Sequence, residues 1–180
     1  MMVFMSQLNQ ATNDGQLDYR DNLAAYYEAA WIFNQDEYSR ESFAAEFNEI
    51  LTKRVGENWR EHKVNTPIKE KALLVVYEAW IQGLDQLHQN ELLAEGEELL
   101  EDESDDGWWQ VEVFAYLEPD NKVAFSIEEL LFKLQNLMAN KELGDHVFFD
   151  GFDYAGLYNK ETGVKDEENG LPTLYACCGS

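Results

Sequence analysis

The strongest constraint on this chain is an acidic segment at its centre, Glu91 to Asp106, with the sequence ELLAEGEELLEDESDD. Nine of its sixteen residues are acidic and none is basic. Charge of this density destabilises a folded state through self-repulsion, and burying it unpaired is costly. The segment also lies where the hydrophobic pattern changes from helical to strand periodicity, so the two sides of it predict different structures.

The composition indicates a folded domain with an acidic surface. Hydrophobic residues make up 45% and aromatic residues 13% of the 180 residues, which is enough for a sizeable core and unlike a disordered chain. The net charge of −23 disfavours direct binding to nucleic acid or to an anionic membrane. Basic protein surfaces and metal cations are the partners that the charge favours. We expect a single compact domain, and the oligomeric state stays open.

Residues 1–106 are predicted to form a helical half that ends in the acidic segment. A polar arm, residues 1–15, comes first. Apolar residues then recur at three- and four-residue steps, the spacing of one helix face. This spacing and the end signals predict a helix from Asp18 to Trp31, a second between Ser39 and Gly56, a third from Pro67 to His88, and a short amphipathic helix in the acidic segment.

Residues 107–180 are predicted to form an antiparallel sheet plus one helix. The pattern predicts a strand from Trp109 to Tyr116, a turn and a returning strand to Phe125, a helix opened by a capping box at Ser126–Glu129, a strand from His146 to Tyr154 bulged at Gly151, and a strand from Pro172 to Cys178. The predicted fold class is therefore α+β. An N-terminal helical half of three to four helices would be packed with a C-terminal β-β-α-β-β antiparallel sheet.

The sequence predicts no metal site. The best match to a calcium loop runs from Asp102 to Val113, but its twelfth position, which has to be a bidentate Glu, is Val113. Asp85 lies one helical turn before His88, yet the paired motifs of a di-iron bundle are missing. His62 and His146 have no partners at ligand spacing. A solvated acidic turn and surface histidines explain these residues with fewer assumptions.

The chain carries no catalytic signature, so we predict that it is not an enzyme and needs no cofactor. Neither a Gly-x-Ser-x-Gly motif nor a dinucleotide fingerprint is present. The two cysteines, Cys177 and Cys178, are adjacent, and a nucleophilic thiol there would need a base such as His146 on a neighbouring strand. Small strand residues are the simpler interpretation. The lack of a disulfide framework and of a long apolar run predicts a cytoplasmic protein.

A helical acidic segment would arrange its carboxylates in a row. With a rise of about 1.5 Å per residue, the nine charges would span about 24 Å, or one per roughly 2.7 Å. Duplex DNA carries one charge per about 1.7 Å of axis, and a single strand one per about 3.4 Å. Glu91, Glu95, Glu98 and Asp102 would follow one helix face. Because this charge spacing lies between those two values, we predict that the segment mimics the charge of a nucleic-acid backbone.

The predicted function is therefore an acidic inhibitor that blocks the basic groove of a DNA- or RNA-binding protein. In composition, though in no motif, the chain resembles the small acidic proteins that phages and plasmids use against restriction or CRISPR systems. The alternative is an acidic immunity or adaptor protein that binds a basic partner, such as a toxin nuclease, without charge mimicry. The predicted partner-binding residues are Glu91, Glu95, Glu98, Glu101, Asp102, Glu103, Asp105, Asp106, Trp108 and Trp109.

One other segment has the opposite charge and could neutralise these acids. Lys53 to Lys71 carries six basic and three acidic residues, a net charge of +3. Docked against the acidic segment, it would reduce the charge offered to a partner. It cannot cancel that charge, because the residues from Ala72 to Asp106 sum to −11.

Overall fold

The computed structural model describes residues 19–180, so the arm predicted for residues 1–15 lies outside the described residues. This part of the chain forms two α-helices, one long 3-10 helix and five strands. In order they are the 3-10 helix Tyr19–Ala29, α1 Arg40–Arg54, β1 Leu73–Ile81, β2 Glu91–Leu93, β3 Trp109–Leu117, α2 Ile127–Met138, β4 Phe148–Tyr158 and β5 Leu171–Gly179. Single 3-10 turns occupy parts of the connections.

The five strands form one mixed sheet in the order β2-β3-β1-β5-β4. Neighbouring strands are antiparallel except at the centre, where β1 and β5 run parallel with Leu74 opposite Thr173. The predicted fold class is therefore wrong. The sheet is not antiparallel throughout, and two of its strands, β1 and β2, come from the part of the chain that was predicted to be helical.

The central strand β1 explains most of this error. Its sequence LLVVYEAWI is buried along almost its whole length, because strands cover both edges and other residues cover both faces. A strand buried on both faces loses the alternation of apolar and polar residues and reads as a continuous apolar run. Such a run resembles a buried helix in periodicity, and here the β-branched Val75 and Val76 were the signal for a strand.

The predicted starts of both α-helices and the predicted end of α1 are confirmed. The Ser39 side chain accepts a hydrogen bond from the Ser42 amide at 3.1 Å and caps α1, and Ser126 does the same for α2 with the Glu129 amide at 3.1 Å. Gly56 follows the end of α1 with a φ of +119°, the left-handed conformation typical of that position. Among residues 19–180, no helix is both long and apolar enough to cross a bilayer.

The returning strand predicted before α2 is reduced to one pair of residues. Phe125 exchanges two backbone hydrogen bonds of 2.9 Å with Ile68, outside the sheet. The strand predicted from His146 begins at Phe148 instead, and its predicted bulge at Gly151 is confirmed by a shift in register between Phe149 and Gly151.

The helices lie on one face of the sheet and leave the other face partly open. The main core joins β1, β3 and β5 to α1, α2 and the N-terminal 3-10 helix. A smaller cluster on the opposite face is centred on Leu74, Val76 and Phe114. The connection between β4 and β5 folds over this second cluster, since a Cβ at Gly163 would lie 3.6 Å from the Phe114 ring.

Candidate functional site

The acidic segment is not a helix. Glu91–Leu93 is the edge strand β2, and residues 94–106, hereafter the acidic loop, run from it to β3. The Ala94 amide donates a backbone hydrogen bond to the Glu112 carbonyl at 2.9 Å, next to the paired residues Leu93 and Val113. The first residue of the loop is therefore still bound to β3, the strand that the loop leads to. The predicted row of Glu91, Glu95, Glu98 and Asp102 on a helix face is therefore wrong. The carboxylates lie instead on the loop that connects β2 to β3.

Apolar and hydrogen-bond contacts fix the acidic loop to the domain. The Trp109 indole N–H donates to the Leu100 carbonyl at 2.7 Å, and Leu99 packs against the main core. Asp105 and Trp108 exchange two backbone hydrogen bonds of 2.9 Å around Asp106 and Gly107, whose φ angles are +50° and +82°. This is the backbone of a type I′ turn, and the Asp-Gly pair was a sequence signal for it. The end of the loop is therefore a defined turn.

Most carboxylates of the acidic loop face water without a cationic partner. The exposed ones are Glu95, Glu98, Glu101, Asp102, Glu103, Asp105 and Asp106. No ion pair between described residues involves any of them. Glu97 is half-buried, and its carboxylate accepts a hydrogen bond from the Glu112 amide at 3.4 Å. The loop thus presents a strong negative field to solvent.

Glu91 lies in the interior and takes no part in this surface. Its carboxylate accepts a hydrogen bond from Lys141 Nζ at 2.9 Å, and neither side chain of this ion pair is exposed. The Tyr77 hydroxyl and the His88 amide also donate to it. Burial lowers the pKa of Lys141, and the nearby charge and hydrogen bond of Glu91 oppose that shift. We therefore leave Glu91 out of the proposed partner-binding surface.

The net-positive segment from Lys53 to Lys71 does not neutralise the acidic loop. Lys53 pairs with Glu49 at 2.5 Å, and Glu70 pairs with Arg20 at 3.2 Å. The Arg60 guanidinium lies 4.4 Å from the centre of the Trp59 ring. Within residues 19–180, no ion pair connects this segment to the acidic loop. The charge of the loop is therefore available to a partner.

The end of the acidic loop borders a cavity of about 530 Å³, hereafter the tryptophan cavity. It is lined by Trp80, Asp105, Asp106, Trp108, Glu142, Gly144 and Asp145. Two backbone hydrogen bonds between Trp80 and Glu142, of 2.6 and 3.1 Å, hold the far wall against the end of β1. Trp108 was predicted to be part of the site. Trp80, Glu142 and Asp145 were missed, because only the folded chain brings these distant residues together.

A second group of acids on the open sheet face was also missed. Glu78 on β1 lies directly opposite Glu112 on β3. Burial raises the pKa of Glu112, and the nearby charges of Glu78 and Glu97 raise it further. Like charges placed directly across two strands repel each other. This pair extends the negative field of the acidic loop along the sheet.

The residues considered for metal binding and nucleophilic catalysis do not assemble into a site. No group of three or more His, Cys, Asp or Glu residues in the described part of the chain could hold a metal ion. Burial raises the pKa of Cys178 to about 12 and that of Cys177 to about 11, so neither thiol is activated. His88 lines a separate cavity of about 470 Å³, and its buried Nε2 has no hydrogen-bond partner among the described residues.

Comparison with protein-family models, curated proteins and solved structures found no match to this chain. Its function therefore has to be inferred from the chemistry of its own residues.

Proposed function

We propose that this protein is an acidic inhibitor that binds the basic surface of a nucleic-acid-binding protein and blocks it. The observation that carries the proposal is the acidic loop, whose seven exposed carboxylates form no ion pair with any described residue. A cluster of unpaired charge destabilises the fold through repulsion, and a basic partner relieves that repulsion. Electrostatic complementarity of this kind also gives fast and selective association.

The partner-binding surface consists of the acidic loop and the tryptophan cavity at its end. Its members are Glu95, Glu98, Glu101, Asp102, Glu103, Asp105, Asp106 and Trp108. Trp109 is half-buried and packs against the main core, so it holds the loop in place and is not counted among the contact residues. Tryptophan is one of the residue types enriched among those that contribute most of the binding energy in protein interfaces.

The test is displacement of labelled duplex DNA from nucleases with basic grooves, measured by fluorescence anisotropy. The panel comprises restriction, CRISPR and toxin nucleases. We expect the native protein to release the DNA from its target, and a loop variant, E98Q/E101Q/D102N/E103Q, to do so at least tenfold less efficiently. A control variant, E41Q/E46Q/E57Q/E61Q, removes the same number of exposed charges from α1 and the connection that follows it, far from the loop along the chain.

The control separates a local surface from a general effect of net charge. Equal loss of displacement by both variants would mean that only the total charge matters. Full displacement by the loop variant would show that the interface lies elsewhere. Binding should also weaken as salt is raised, because exposed charges are screened over about 10 Å at 0.1 M ionic strength.

A second candidate function is an immunity or adaptor protein that binds a basic partner away from its nucleic-acid groove. The course of the acidic loop favours it, because the charges lie on a non-helical loop and therefore do not follow a helix axis in a row. Gel filtration of protein, target and duplex DNA together distinguishes the two. A groove blocker is displaced by the duplex, whereas an adaptor forms a ternary complex.

A further inference from the structure

We propose that the tryptophan cavity binds an arginine side chain presented by the basic partner. The inference rests on the proposed function for the origin of that arginine, but the chemistry of the cavity can be tested without the partner.

The charge of the lining defines the ligand as a cation. Four of the seven lining residues are acidic, namely Asp105, Asp106, Glu142 and Asp145, and none is basic. The Glu142 carboxylate is partly used inside the protein, where it accepts hydrogen bonds from the Gly144 amide at 2.9 Å and from Gln35 at 3.0 Å. The three aspartates are exposed; Asp105 and Asp106 form no ion pair with a described residue, and Asp145 Oδ1 lies 3.5 Å from His146 Nε2 at the surface.

The two indoles define the shape of the cation. A guanidinium is planar and weakly hydrated, so it stacks on an indole face while its N–H groups reach carboxylates at the edge. A lysine ammonium is more strongly hydrated and makes neither the stack nor the paired hydrogen bonds. A metal ion fits less well, because no three acidic, histidine or cysteine side chains converge anywhere in residues 19–180.

Hydrogen bonding separates these two tryptophans from the other three. The indole N–H groups of Trp31, Trp59 and Trp109 donate to Gln135, Asn48 and the Leu100 carbonyl. Those of Trp80 and Trp108 have no acceptor among the described residues, although both side chains are half-buried. A peptide fits these groups. Its arginine would face the three exposed carboxylates, and its main-chain carbonyl oxygens would accept hydrogen bonds from the two indole N–H groups.

The cavity is held in shape before any ligand arrives. The type I′ turn fixes Asp105 and Trp108 on one side, and the backbone pair between Trp80 and Glu142 fixes the other. A preformed pocket loses little conformational entropy on binding, which favours affinity.

The direct test follows the five indole N–H signals in ¹⁵N-labelled native protein by nuclear magnetic resonance. N-acetyl-arginine amide is titrated to millimolar concentration, with N-acetyl-lysine amide and uncharged N-acetyl-citrulline amide as matched probes. We expect saturable shifts of the Trp80 and Trp108 signals with arginine, several-fold weaker binding of lysine and none of citrulline. The signals of the buried Trp31 and Trp59 should stay in place. Equal responses to all three probes, or none to arginine, would overturn the proposal.

Two variants extend the test to the cavity wall. Trp108→Leu and Asp145→Asn should each weaken binding of the arginine amide, the first by about tenfold, while the control Glu161→Gln leaves it unchanged. Unchanged Trp31 and Trp59 signals verify that each variant is folded. Unaltered arginine binding by folded Trp108→Leu would reject the cavity. If the protein binds the arginine amide but displaces DNA from no nuclease, only the inhibitor function is rejected. If it displaces DNA but does not bind the arginine amide, only the proposal of an arginine site in the cavity is rejected.

Discussion

Glu91 and Glu95 are four residues apart in one acidic segment, yet only Glu95 faces water. The difference comes from a partner fifty residues away, because Lys141 brings a buried positive charge to the end of β2. Both side chains are satisfied by further hydrogen bonds, including one from Lys141 Nζ to the Leu137 carbonyl at 2.8 Å. Removing one partner of such a buried ion pair is costly, because the charge of the other partner stays buried without compensation.

Glu91→Gln should therefore lower the free energy of unfolding by about 3–5 kcal/mol. Urea denaturation followed by tryptophan fluorescence measures it. The matched control is Glu95→Gln, an exposed position in the same segment, which should change stability by less than about 0.5 kcal/mol. A double variant, E91Q/K141M, should recover most of the loss because it removes both charges. Identical urea midpoints for the two single variants would show that the ion pair contributes nothing.

Individual residues show where sequence patterns stop being informative. The caps Ser39 and Ser126 were predictable, because a cap is a local interaction within four residues. The burial of Glu91 was not, since nothing near it in the sequence indicates that Lys141 will be its neighbour. For the same reason the exposed acids and Trp108 could be named from the sequence, but Trp80 and Asp145 could not.

At the scale of elements, the β1–β3 pair combines good packing with unfavourable charge. Its nine residue pairs are in register from Leu73–Leu117 to Ile81–Trp109, and Glu78 faces Glu112 within them. Because the pKa of Glu112 is raised in the folded protein, its charged form is less favourable there than in the unfolded chain. This carboxyl therefore contributes stability at low pH that is lost as pH rises through its folded pKa.

Glu112→Gln should stabilise the protein at pH 7.5 by about 0.5–1 kcal/mol, the range of a cross-strand pair. The gain should shrink at a second, acidic pH, because the raised pKa lets the native carboxyl take up a proton there more readily than in the unfolded chain. Urea midpoints at the two pH values measure the effect. Glu161→Gln, which removes one exposed charge from the β4–β5 connection, is the control for net charge. A gain no larger than that of the control would contradict the repulsion between the two strands.

The elements also differ in how far they could be predicted. α1, α2, β3, β4 and β5 carry clear periodicity or end signals, and the structure confirms that each of these elements exists and is of the predicted type. β1 failed because burial on both faces removes the alternation. The acidic loop failed because glutamate and leucine favour helices intrinsically, whereas pairing of β2 with β3 and docking of Leu99 decide the backbone here.

For the whole molecule, a net charge of −23 over 180 residues means that long-range repulsion opposes folding. Half of the ion pairs among the described residues join two exposed side chains, and pairs of this kind contribute little each. Repulsion should therefore dominate the response of stability to salt.

Raising sodium chloride from about 20 mM to 500 mM should increase the melting temperature by a few degrees, because added ions screen the repulsion. Differential scanning calorimetry measures it. The loop variant E98Q/E101Q/D102N/E103Q should already melt higher at low salt and gain less from added salt. A melting temperature that falls with salt would mean that favourable ion pairs outweigh repulsion.

The parallel pairing of β1 with β5 has a consequence for folding during synthesis. Leu74 and Thr173 are neighbours in the sheet but lie roughly a hundred residues apart along the chain. Until β5 has left the ribosome, β1 has an apolar strand edge with unpaired amides and carbonyls, and such edges recruit other strands. Non-local pairing also slows folding, because a long loop has to close before its contacts form. The repulsion between nascent chains of this charge keeps that open edge away from its copies while the sheet is completed.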